Sequence, residues 1–145
     1  MRQRLRQWRA LPAADRNTVL AMMLALPVIS LGLRLFGYQH LRRRIEHMTA
    51  RYASPRHASA ADIAHGEHLV RLATIAGRHG LVEETCLRQA LLVYGLLRHQ
   101  GLGPELKLGV RREGEAIAAH AWLELGGQAL EPGTSRHAAF PTTAD

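Results

Sequence analysis

The chain has 145 residues, a mass of 16.1 kDa and a single cysteine, so it forms no internal disulfide and has length for about one domain of roughly 100–200 residues. Hydrophobic residues make up 47% and charged residues 21%, which excludes wholesale disorder. A chain of this size buries about 68–70% of its extended surface, enough to hold a core without a metal.

The formal charge is +7, carried by eighteen arginines and one lysine, Lys107. Such a balance invites a nucleic-acid or membrane-surface reading. Aromatic residues are only 5%, too few for a platform on which bases stack, which argues against nucleic acid as the main partner. An acidic peptide, an anionic membrane surface or an acidic partner protein suits the charge equally. The lone thiol suits a reducing compartment, and is either buried filler or a reactive group.

Residues 1–52 read as an N-terminal helical region and residues 53–145 as a second part that joins it in one compact unit. The first opens with Arg2, Arg4, Arg6, Trp8 and Arg9, and Leu11 to Arg16 reads as a turn and a helix start. Thr18 to Leu33 is uncharged. That run makes about 24 Å of helix, short of a hydrocarbon core of roughly 30 Å. It reads as two apolar helices broken near Pro27 and packed on the rest of the domain, with Arg42, Arg43 and Arg44 at a solvated end. Peripheral membrane contact through residues 18–33 is the competing expectation.

Ser59-Ala60-Ala61-Asp62 precedes a helical pattern over Ile63–Ala73. His65 and His68 lie on one face there, but no spaced set of Cys, His or Asp completes a metal site, so they read as a surface or partly buried pair.

Thr85 is a good helix cap, because its hydroxyl accepts from an unpaired amide of the first turn. The helix then runs Cys86–Gln100, with Leu87, Ala90, Leu91, Tyr94 and Leu97 on one stripe. Gly101 and Pro104 end it. Cys86 therefore sits in the first turn, where free amides and the positive end of the dipole stabilise a thiolate and a developing oxyanion.

Glu105–Val110 alternates as a strand does, Arg111–Glu115 reads as a hairpin loop, and Ala116–Leu125 alternates again. Ile117, Ala119, Ala121, Leu123 and Leu125 face one way, and His120, Trp122 and Glu124 the other. Gly126-Gly127 is a two-residue turn. Gln128–Glu131 returns as a third strand, with a loose tail from Pro132 to Asp145. In this register Leu125 pairs with Gln128 and Leu123 with Leu130, which makes Glu131 the diagonal neighbour of His120. Cys86, His120 and Glu131 then form a nucleophile, a base and an orienting carboxylate.

The segments Cys86-Leu87-Arg88-Gln89-Ala90-Leu91, Leu96–Leu102, the strand ending Gly109-Val110, and Ala119-His120-Ala121-Trp122-Leu123-Glu124 resemble the transglutaminase-like leader peptidases of lasso-peptide biosynthesis. Leu11–Arg44 is similar to that family's apolar helical lead-in. The resemblance implies an α+β fold with a papain-like or transglutaminase-like core, a cysteine-bearing helix packed on a small antiparallel sheet. It implies a cysteine endopeptidase that removes the leader from a ribosomally synthesised precursor, with Cys86 as nucleophile and His120 as base, and with no cofactor or metal. The family's third member, an aspartate, falls at Pro132 here, and Glu131 is the nearest substitute. The implied partners are the precursor peptide, a separate leader-recognition protein and the lasso cyclase, in the cytoplasm. Two rival functions stand beside this one: an acyltransferase on the same core, and a non-enzymatic membrane-associated adaptor with an unreactive Cys86.

Overall fold

The computed structural model describes residues 6, 8–54, 56–79, 85–131 and 137–139. Helix α1 (Ala13–Thr49) starts after Pro12, with Asp15 in its first turn where a carboxylate favours the dipole. The expected break at Pro27 is absent: the helix runs through Pro27, and its one non-helical residue is Gly37. Gly37 takes φ 75° and ψ 170°, a backbone shape that side chains with a Cβ rarely adopt. The bend brings Leu41 against Gly32, where a built Cβ would stand 3.1 Å from the leucine methyl. A short turn of 3-10 helix, Ala50–Tyr52, follows.

Helix α2 (Ala60–His79) is longer than its pattern suggested at both ends. Its start is a reciprocal cap. The Ser59 amide donates to Asp62 Oδ2 at 2.9 Å, and the Asp62 amide donates to Ser59 Oγ at 3.2 Å. Arg56, followed by Ser59, holds the Asp62 carboxyl well below the usual carboxylate range.

Helix α3 (Cys86–His99) begins where its cap predicts: Thr85 Oγ1 accepts from the Arg88 amide at 3.4 Å. Its end is a two-bond glycine cap. The amides of Leu102 and Gly101 donate to the carbonyls of Leu97 and Arg98, with Gly101 at φ 82°.

Four antiparallel strands follow: β1 (Glu105–Glu113), β2 (Ala116–Leu125), β3 (Gln128–Ala129) and β4 (His137–Ala139), in the order β3-β2-β1-β4. β2 has the expected bounds. The hairpin before it is tighter than expected, because β1 pairs on to Glu113↔Ala116 and Gly114, at φ 64°, turns the chain. Ile117 and Ala119 are exposed although they share a face with buried Ala121, Leu123 and Leu125. The first half of the hairpin thus runs past the part of the sheet that the core covers. The third strand is shorter than expected, with Leu125↔Gln128 and Glu124↔Ala129 as its pairs. One further bond, Leu130 N–H to Leu123 O at 2.9 Å, carries the ladder forward in the register read from the sequence. The tail is not all loose: residues 137–139 pair with β1. Residues 80–84, 132–136 and 140–145 lie outside the described set.

Val19, Met22 and Leu26 of α1, Leu69 and Leu72 of α2, Leu91 and Leu97 of α3, and Leu123 and Leu125 of β2 belong to one buried cluster. At about 25 cal/mol per Å² of apolar surface, this burial is the main term holding helices to sheet. A polar joint locks α1 to α3 beside it. Glu46 Oε1 accepts from the Tyr94 hydroxyl at 2.7 Å and from Arg42 Nε at 2.9 Å, while Arg98 Nε donates to Thr49 Oγ1 at 2.9 Å. Burial works against the Glu46 charge, but Tyr94 and then Arg42 hold its carboxyl below the ordinary value.

Candidate active site

The candidate residues lie on the first turn of α3, on β2 and just after β3. Cys86 is the first residue of α3, half-buried, and packs against the core cluster. The amides of this first turn have no carbonyl of their own helix to bond. The alternation of β2 puts His120 and Trp122 on one face of the sheet, opposite Gly109 and Lys107 of β1.

His120 Nε2 lies 3.0 Å from Glu131 Oε2. The side chains are 12% and 25% exposed, so the pair is screened from bulk water more than a surface ion pair would be. A carboxylate only accepts, so Nε2–H is the donor. In the neutral ring the lone pair then resides on Nδ1. The Trp122 indole is nearly parallel to the imidazole, at 16° and 6.1 Å between centroids, and its Nε1–H donates to Glu124 Oε1 at 3.3 Å. Trp122 is 3% exposed, a wall that restrains the ring from one side.

Glu131 owes its position to its neighbour. Leu130 is 1% exposed and seats against Gly66 of α2, where a built Cβ would meet its Cδ1 at 2.9 Å. Glu131, Leu123, Gln89 and Ala90 line one narrow gap. Gln89 stands three residues after Cys86. Helix α3, through Gln89, therefore shares this gap with the carboxylate that holds His120.

Of the residues chosen from the sequence, the structure brings His120 and Glu131 into direct contact and sets Cys86 at the head of the adjoining helix. The sequence reading did not anticipate the stacking of Trp122, the seat at Gly66 or the place of Gln89. The spacing of Gln89 from Cys86, which puts both on one helix face, was the available signal. His65 and His68 turn to separate partners, Gln100 Oε1 at 2.8 Å and Asp15 Oδ1 at 3.0 Å. Among the described residues no group of three or more His, Cys, Asp or Glu stands together as metal ligands would.

A cysteine-bearing helix on an antiparallel sheet that carries a histidine and its carboxylate matches the outcome of comparison with known families. The family model described as the transglutaminase-like superfamily matches residues 23–144. The chain belongs to the transglutaminase-like superfamily. The match spans α1 from Met23 onward, both other helices and the sheet. It supports the α+β class with an N-terminal apolar helix, and chemistry of the cysteine peptidase or acyl-transfer type, since this superfamily commonly includes cysteine peptidases. No curated protein and no solved structure matches the chain.

Proposed function

We propose that this transglutaminase-like protein is a cysteine endopeptidase that removes the leader from a ribosomally synthesised lasso-peptide precursor. The observation that carries the reading is the His120–Glu131 contact of 3.0 Å beside the helix that begins with the only cysteine. The motif resemblance over Cys86–Leu91 and Ala119–Glu124 supplies the substrate class.

In this reading Glu131 fixes the tautomer and orientation of the imidazole. With Nε2–H committed to the carboxylate, Nδ1 takes the thiol proton, giving a thiolate–imidazolium pair. The sulfur attacks the last leader carbonyl and forms a C–S bond, and the electron pair of the C=O moves to oxygen. The Cys86 amide, at the helix start, is placed to donate to that oxyanion. As the tetrahedral species collapses, the C–N bond breaks and Nδ1–H gives its proton to the departing core amine. Water then attacks the thioester, His120 takes a proton from it, and the leader carboxylate leaves as the thiol is restored.

A separate recognition protein delivers the leader, the lasso cyclase takes the freed amine, and the work takes place in the cytoplasm. The test uses the full chain with precursor and recognition protein, read by mass spectrometry. Cys86→Ala is expected to leave the precursor intact while circular dichroism is unchanged. Cleavage by that variant at the normal rate overturns the proposal. A product joined to an added amine, in place of a free leader acid, would assign acyl transfer instead.

A further inference from the structure

Helix α1 is apolar on two nearly opposite faces. Val19, Met22 and Leu26 are buried against the protein's own core. Leu20, Leu24, Val28, Leu31 and Leu35 line the other side and are 47%, 77%, 69%, 56% and 65% exposed. At 1.5 Å per residue they form a straight ridge about 22 Å long. At the Gly37 bend the ridge runs into an apolar groove of about 470 Å³, with Phe36, Met48, Leu92 and Leu96 on its walls and Arg44 at its edge. A helix apolar all round is normally covered all round. This one is covered on one side.

The charges nearby say what fits. Arg34, Arg43 and Arg44 are exposed, and no described carboxylate pairs with them. The two acids of α1 are engaged elsewhere, Asp15 with His68 and Glu46 with Arg42 and Tyr94. The cover therefore has to be apolar and anionic together. A second copy of this chain would bring the same arginines and no spare acid on this face. By length and composition the helix is also long and apolar enough to cross a membrane. Its opposite face, packed on the domain, forbids a span surrounded by lipid.

We infer that the exposed face of α1 docks on an anionic membrane surface, with the helix in the plane of the interface, its Leu20–Leu35 ridge in the acyl boundary and Arg34, Arg43 and Arg44 on lipid phosphates. Apolar burial and attraction to anionic headgroups are the two terms that hold such helices. The inference is independent of the peptidase reading and its test uses no activity.

The full chain is floated with vesicles containing phosphatidylglycerol and with vesicles of phosphatidylcholine alone, and its oligomeric state is read by light scattering without lipid. It is expected to float with the anionic vesicles and to stay behind with the neutral ones. The double variant Leu24→Glu/Leu35→Glu, with unchanged circular dichroism and melting, is expected to lose the binding. Arg43→Gln/Arg44→Gln is expected to weaken it about tenfold or more. Three results would overturn the inference: no flotation with anionic vesicles, undiminished flotation of the glutamate variant, or equal binding to neutral vesicles. A dimer that the glutamate variant dissolves, with no vesicle binding, would overturn it in favour of a second copy, and capture of an acidic protein without lipid binding in favour of that class of partner.

Discussion

In the proposed mechanism Glu131 is a positioning residue: with Nε2–H of His120 committed to it, the carboxylate chooses the tautomer and holds the ring. Glu131→Ala is therefore expected to lower kcat for precursor cleavage about 10²–10⁴-fold. Glu131→Gln keeps a carbonyl oxygen to accept the same bond and should retain more activity than the alanine variant. Equal loss in the two would show that the acceptor at this position does not matter. This contact was legible because strand alternation and a two-residue turn fix which side chains share a face. The stacking of Trp122 was not, since alternation gives a face and leaves the angle between two rings to packing.

At the scale of elements, the site depends on how β3 is held. β3 has two paired residues, Gln128 and Ala129, so the position of Glu131 rests on the Leu130–Leu123 bond and on the Leu130 side chain seated at Gly66. Leu130→Ala is expected to cost about 2–5 kcal/mol in urea unfolding and to reduce cleavage in the population that remains folded. A change under about 0.5 kcal/mol would mean that the seat is not holding the strand. The bounds of β2 and the start and cap of α3 could be read from the chain because each has a local cause: alternation for the strand, Thr85 and Gly101 for the helix. The bend in α1 could not. Pro27 has a φ that a helix accepts and loses one hydrogen bond, whereas Gly37 can leave the helical region altogether. Leu41 packs on Gly32 across the bend, a contact between positions that local sequence does not link.

For the whole molecule, α1 is tied to α3, the helix that begins with Cys86, by the joint of Glu46, Tyr94, Arg42, Arg98 and Thr49. The Glu46 carboxyl titrates below its ordinary 4.5 in the folded protein. A depressed carboxyl contributes stability above the unfolded value and loses it as pH falls through the folded one. Glu46→Gln is thus expected to destabilise the protein at pH 7, by about 1–3 kcal/mol for hydrogen bonds to a charged group, and to have a smaller effect at pH 3. An equal effect at both pH values would assign the loss to packing. Long-range joints of this kind, with partners 48 positions apart in the chain, leave no periodic trace in a sequence.

If His120 activates Cys86 as proposed, the effect shows in the rate at which iodoacetamide alkylates Cys86, followed by intact mass at neutral pH in the native protein and in His120→Ala. Since the thiolate is the reacting form, the native protein should react about ten times faster or more than the variant. Equal rates in two folded proteins would show that His120 does not activate the thiol.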